Sequence, residues 1–500
     1  MAIGLGQFTD ENHPFLSPLT AALQVDDILP RIRYSPLDGI DVATLSNSER
    51  HVLLDLMQER LFEPTTATLE LTTRLFRMIR RGYLSRDPRE LSVRKETIAV
   101  AGCRGKQLSE LPSFDAYAQC IRVSGETGTG KSYEIKNSLR LLPQCFVHPE
   151  NKDAGWSHLV QLVWLYVPMS HDGTLGGLLL NILCAIDEAI GTSYSTQPSL
   201  IRLSNEKLAV HVGIILRIHA VGVLVIDELQ QRNFSRMAHG GLAALFFLRL
   251  LNFGIPIVLM GNPYGLGALD RYSQDVRRTS SAGSFDFEPI GLNEFDWHKC
   301  IAPGVWRYYV LPEPMTFSDE GGEILFKYSG GFRDYACRIC HSAQRLALDL
   351  NDRALTLEHL EQAYEGADFS QKDRDLIEGF ANRDPMRLLD FEDVRCEHYA
   401  RKWGLVPARP KSVSPETTVE YYGGKSFQPT EPESESLNPV RRTRNPHARE
   451  QGIAKQVVAK RAKTNKKQAM AKAECGDDDL RNDGLKKFLI NGFDTFRNVA

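Results

Sequence analysis

Eight residues, Gly125-Glu-Thr-Gly-Thr-Gly-Lys131-Ser132, constrain this chain more than any other stretch. Their spacing is G-x-x-x-x-G-K-[ST], a phosphate loop that needs a strand before it and a helix after it. Both are legible. Residues 118–123 (AQCIRV) read as a short buried strand, and 132–142 read as a helix with Ile135, Leu139 and Leu142 on one face. Glycines let the backbone curl until its N–H groups face inward, and the helix N-terminus adds partial positive charge. Candidate nucleotide contacts are therefore Gly125, Glu126, Thr127, Gly128, Thr129, Gly130, Lys131, Ser132 and Tyr133. In this pattern Lys131 reaches the β- and γ-phosphates and Ser132 holds Mg²⁺. The alternative, a glycine-rich turn with a stray lysine, leaves the next motif without a partner.

That motif is Val223-Leu-Val-Ile-Asp227-Glu228. Four apolar residues ending in two carboxylates read as a buried parallel strand opening at its C-terminal end, where ligands bind in open α/β sheets. Asp227 is the expected Mg²⁺ partner. Glu228 is the expected general base toward the attacking water.

Composition bounds the rest. The chain has 500 residues, a net charge of −3 and nine cysteines. Such a length accommodates two or three domains. No apolar stretch reaches the roughly 18 residues of a membrane span, and MAIGLGQFTDENHPF lacks the charge and apolar core of a secretion signal. Together these point to a protein of the cytosol with reduced thiols.

Residues 1–100 read as an N-terminal extension. His13-Pro-Phe-Leu and Ile28-Leu-Pro look like docking segments rather than core, and Arg80 to Pro88, with Tyr83, forms a basic turn that either wraps an adenine or is simply solvated. Over 101–300 the strand–helix alternation continues: a strand at 159–167, helices at 175–190 and 203–220, the carboxylate strand, a helix at 240–252, and a strand at 255–260. Asn262 follows that last strand, placed to orient a lytic water or to make an Asn-Pro turn. Arg271, Arg277 and Arg278 come next; one of them either reaches a neighbouring subunit's γ-phosphate or ends a helix in solvent. From 301 to 405 the pattern is helical, a lid whose second helix opens at Gly330-Gly-Phe-Arg333. Arg333 either folds onto the phosphates or stays on the surface.

A parallel-sheet ATPase core flanked by helices, a polar residue after the fourth strand, trailing arginines and a helical lid together describe an α/β fold of the AAA+ P-loop class. The chain also resembles the AAA+ regulators of DNA transposition of the TnsC type, relatives of TniB and more distantly of MuB. The matching stretches are GETGTGKS, VGVLVIDELQ, GIPIVLMGNP, SGGFRDYACRICHSAQRLAL and LTLEHLEQAY, with HPFLSPL and RRGYLSRDP near the N-terminus. Several relatives carry Thr where this chain has Asn262.

The resemblance implies ATP-driven assembly of a homo-oligomeric ring or filament on double-stranded target DNA in the bacterial cytosol. It further implies placement by a target-selecting protein, recruitment of transposase and endonuclease subunits, and disassembly on hydrolysis. In such assemblies the inner surface follows the second strand, here Pro168 to Thr174, so Thr174 is a candidate DNA contact through short hydrogen bonds. A nucleotide-gated signalling switch without a DNA role is the competing reading.

After Leu405 the composition changes. Residues 406–440 are rich in Pro, Ser, Thr and Glu, as in a disordered linker. Residues 441–476 carry Arg441, Arg442, Arg444, Lys460, Arg461, Lys463, Lys466 and Lys467 with little acid through Lys472, a segment suited to neutralising DNA phosphates or only to solvation. Residues 477–500 read either as a partner-docking helix or as a helix packing back onto the ATPase. Cys337-Arg-Ile-Cys340-His341 spells a c-type haem attachment, but it lies in an apolar helical pattern and reads as a core-facing helix.

Overall fold

The computed structural model describes residues 12–19, 21–24, 27–107, 110, 118–229, 240–271, 273–313 and 315–405. The chain divides into Met1–Val406 and Pro407–Ala500, and every described residue lies in the first unit. The expected linker, the basic segment with Lys460, Arg461 and Lys463, and the terminal helix lie outside the described residues.

The strands are β1 (Cys120–Gly125), β2 (Cys145–His148), β3 (Leu159–Leu162), β4 (Trp164–Pro168), β5 (Val223–Leu229), β6 (Ile257–Gly261) and β7 (Gly283–Phe287). The main sheet is five-stranded, in the order β4-β5-β6-β1-β7, and every pairing is parallel. Parallel strands need crossovers, which cover both faces, so the central strands are continuous apolar runs. Val223 to Ile226 and Ile257 to Met260 are buried accordingly.

The principal helices are α1 (Asn47–Arg60), α2 (Thr66–Leu84), α3 (Leu91–Ala101), α4 (Lys131–Arg140), α5 (Leu175–Ile190), α6 (Asn205–Ile218), α7 (Gly240–Asn252), α8 (Ser273–Thr279), α9 (Asp319–Lys327), α10 (Arg333–Asp349), α11 (Leu357–Glu365), α12 (Gln371–Ala381) and α13 (Cys396–Lys402). Leu178, Leu179, Ile182 and Ile186 of α5 share the core with Val212 and Leu216 of α6 and Phe246, Phe247 and Leu250 of α7. Helices α9–α12 form the expected helical region after the sheet. Cys340 faces its core.

Two expectations change, and one strand was not expected. The single strand at 159–167 is two: β3 runs antiparallel to β2, whereas β4 joins the main sheet beside β5. Both halves are apolar runs, so periodicity does not separate them; their partners do. Strand β7 escapes a sequence reading because its residues, Gly-Ser-Phe-Asp-Phe, carry only two apolar side chains; among the described residues it pairs with β1. The N-terminal stretches expected to be docking segments are instead core: Phe15, Leu16, Leu19, Ile28 and Ile32 are all buried. The Phe15 ring stacks on Trp156 with centroids 5.5 Å apart, and the Phe15 carbonyl accepts from Gln161 Nε2 at 3.2 Å. Burying each such side chain contributes about 1.5–3 kcal/mol, enough to hold a chain whose prolines forbid long helices. Helix α1 packs along α10, and its Asn47 donates to the Leu348 carbonyl at 3.3 Å.

Candidate nucleotide site

The phosphate loop leaves β1 at Gly125, whose φ is +155°. A Cβ there would stand 2.1 Å from the Phe287 carbonyl oxygen of β7, so only glycine allows the two strands to close. Gly130 caps α4 in the left-handed region with φ +93°, a conformation that favours glycine. Between them, the Glu126 carbonyl accepts from Lys131 Nζ at 2.6 Å and from Thr129 Oγ1 at 2.8 Å. Burial lowers the Lys131 pKa, against the pull of Asp227 and Glu126.

Asp227 stands at the end of β5. Its Oδ2 accepts from Ser132 Oγ at 2.6 Å and from the Tyr166 hydroxyl of β4, while Oδ1 accepts from the Glu228 backbone N–H at 2.6 Å. Burial raises the Tyr166 pKa, and the Asp227 charge adds to it, so the phenol stays a donor. Glu228 sits in a break of the β5–β6 register, between Ile226 and Leu229, with φ +60°. A bulge of this kind re-aims a side chain. The residue is exposed and turned into the cavity while Asp227 is 3% exposed. Asn262 caps the short helix Pro263–Leu266, its Oδ1 accepting from Gly265 N at 2.6 Å.

These groups line one cavity of about 730 Å³: Thr127, Gly128, Gly130, Lys131, Ser132, Tyr133, Asp227, Glu228, Asn262 and Arg333, together with Gln58, Leu61 and Cys337. Tyr133 stacks edge-on against Phe62, centroids 5.3 Å apart. Ser132 and Asp227 supply oxygen donors to one spot, the set a hard divalent cation takes.

Other sequence candidates fall elsewhere. Tyr83 does not line the cavity. Its ring is fully buried, its hydroxyl donates to the Ala220 carbonyl at 3.0 Å, and Arg86 lies over it. Ala220 precedes β5, at the end of the strand opposite Asp227. The stretch 80–88 is therefore the end of α2 and the turn after it, with Tyr83 and Arg86 buried and Arg80 and Arg81 exposed, away from the cavity. Arg333 is neither on the surface nor free over the loop: it is 8% exposed and donates to Glu134 Oε1 and to the Glu63 carbonyl, each at 2.7 Å. Arg277 is exposed, and Arg278 donates to Leu248 O and Asn252 Oδ1; neither lines the cavity of its own chain. The Arg271 side chain lies outside the described residues. Thr174 caps α5 by accepting from Gly177 N at 3.0 Å and donates to Asp172 Oδ2 at 2.9 Å, which puts a carboxylate beside this nominated DNA contact.

Sequence reasoning missed Gln58, Leu61, Glu392 and Asp393, which line the cavity, and Tyr166 and Glu134, which hold Asp227 and Arg333. Tyr166 lies mid-strand in β4, in register with Val225, so its approach to Asp227 left no local mark in the sequence.

A parallel sheet in this order, with the phosphate loop, the carboxylates and Asn262 at its C-terminal ends and helices beyond it, is the AAA+ P-loop fold. Residues 115–269 match the family model described as an AAA domain. No curated protein matches the chain. Similar solved structures include Drosophila ORC bound to DNA, at 16% identity over 69% of this chain and 84% of that one, with a TM-score of 0.31. The Aeropyrum pernix ORC1 protein in complex with DNA matches at 17% identity over 66% and 86%, with a TM-score of 0.33. The Thermotoga maritima RuvB Holliday junction branch migration motor matches at 12% over 66% and 93%, with a TM-score of 0.31. Likeness at this level says nothing of what this chain acts on. Among the described residues no helix is long and apolar enough to cross a membrane.

Proposed function

We propose that the chain is a Mg²⁺-dependent ATPase of the TnsC type. In this reading it oligomerises on double-stranded DNA, links a target selector to transposase and endonuclease subunits, and is released by hydrolysis. One observation carries the nucleotide half: Lys131, Ser132, Asp227, Glu228 and Asn262, from three separate stretches of chain, line one cavity of about 730 Å³. The DNA half is supported by the sequence resemblance and by the basic run 441–472.

A bound divalent cation would supply charge neutralisation to the phosphates. Ser132 and Asp227 would hold it, and Tyr166 fixes the Asp227 carboxylate. Lys131 exchanges the Glu126 carbonyl for phosphate oxygens. Glu228, turned out of the strand by its bulge, accepts the proton of the attacking water, and Asn262 orients that water. Arg277 or Arg278 from a second copy supplies positive charge to the transferring phosphoryl group.

Retention on a labelled DNA duplex tests the whole reading. With a non-hydrolysable ATP analogue the full chain should bind, and affinity should fall steeply with salt. Removal of 441–472 should weaken binding uniformly across sequences and flatten the salt slope. ATP-independent retention would overturn the reading, and a chain that binds nucleotide but never DNA would favour the signalling switch.

A further inference from the structure

Helix α13 and the residues before it reach the phosphate loop from the C-terminal side of the described chain. Arg395, His398 and Lys402 face three acids. Arg395 Nε donates to Glu126 Oε1 at 2.9 Å, and its two terminal nitrogens donate to Asp286 at 2.6 and 3.1 Å. His398 Nε2 meets Glu288 Oε1, and Lys402 Nζ donates to Glu288 Oε2 at 2.6 Å. Tyr399 is buried against Phe380, centroids 4.7 Å apart, and its hydroxyl donates to Glu126 Oε1 at 3.0 Å.

Glu126 is therefore held at both ends. Its carboxylate, 2% exposed, belongs to α13, and its carbonyl is the resting place of Lys131 Nζ. The ion pairs also fix what precedes them. Glu392 and Asp393 line the phosphate cavity, and Asp393 Oδ2 accepts from the Thr127 hydroxyl at 3.2 Å. Two carboxylates thus stand in a cradle built for anions. A bound polyphosphate and these carboxylates repel one another, and the repulsion grows with the number of phosphates.

We propose that Glu392–Lys402 is a clasp on the phosphate loop that biases the site against the more highly charged nucleotide, with Asp393 and Glu392 as the specificity-determining residues and Arg395 as the positioning residue. Binding of a triphosphate opens the clasp: Asp393 leaves Thr127, and α13 loosens from Glu126. This rests on the nucleotide reading above.

The test uses the full chain and two probes, ADP and the slowly hydrolysed analogue ATPγS, measured by equilibrium binding with Mg²⁺. Replacing both acids, Glu392→Gln with Asp393→Asn, should tighten ATPγS binding about three- to tenfold and ADP binding by less, with the difference shrinking at high salt. Both side chains are exposed, so the variant should fold. Hydrogen–deuterium exchange on the unaltered protein gives a second readout: ATPγS should speed exchange across 394–402. Equal or weaker ATPγS affinity in the variant overturns the clasp, as does slowed exchange at 394–402. A wild-type chain that binds neither probe overturns the nucleotide reading instead.

Discussion

The Arg333 guanidinium donates to Glu134 Oε1 at 2.7 Å, with side chains only 9% and 2% exposed. One residue opens α10, and the other lies in the first turn of α4, immediately after the phosphate loop. The same guanidinium holds the Glu63 carbonyl ahead of α2 and lies over the Phe62 ring. A single buried cation thus ties the lid, the loop helix and the N-terminal segment together. Replacing it by Met should cost about 3–5 kcal/mol, because the Glu134 charge is left buried without its partner. Adding Glu134→Gln should recover part of that loss. Denaturant midpoints of both variants check it; additive losses would show that the pair is not coupled.

Lys131→Ala removes the one lysine among the described residues that line the cavity. A charge-assisted hydrogen bond contributes about 1.5–3 kcal/mol, so nucleotide affinity should fall roughly ten- to a hundredfold. The thermal midpoint without nucleotide should stay close to wild type, since the Lys131 ammonium there donates to the Glu126 carbonyl rather than to an element of the core. Titration calorimetry and a melting curve separate the two effects.

Glu228→Gln should retain ATP binding while hydrolysis falls by about 10²–10⁴, the range a positioned base supplies. Asp227 keeps its contacts with Ser132 and Tyr166 in this variant. Single-turnover hydrolysis beside ATP titration reads both quantities, and wild-type turnover would move the base elsewhere.

Tyr166→Phe deletes one donor to Asp227 and leaves the ring under Lys136 Nζ, which lies 4.8 Å from its centroid. Stability should change by about 1 kcal/mol. The larger effect should be a higher Mg²⁺ concentration for half-maximal turnover, with ATP affinity in saturating Mg²⁺ unchanged. If the Mg²⁺ dependence does not move, the phenol only fills space.

Arg277 or Arg278 acts, in the reading given above, on a neighbour's nucleotide. Mixing an Arg277→Ala or Arg278→Ala chain with Lys131→Ala should then change hydrolysis nonlinearly with the mixing ratio. A strictly linear response for both arginines would leave them as surface and helix-end charges.

Much of this molecule is written locally. The phosphate loop, its strand and its helix are specified within about 25 residues, because glycine φ angles, a buried strand and an amphipathic helix are all short-range demands. The carboxylate strand and the helices α5, α7, α10 and α11 are legible for the same reason. Tertiary structure decided the rest. Whether 159–167 was one strand or two depended on which partners its halves found, and the outward turn of Glu228 depended on a register break against β6. Tyr83 and Arg86 read as a basic surface turn until packing buried them beneath β5's entry, while Arg395 carries no local mark and meets Glu126 across 269 residues of chain. Periodicity and motif spacing describe what a segment demands of its own neighbours in sequence. Ion pairs between distant elements, and the burial that strengthens them, exist only once the sheet has brought those elements within a few ångströms.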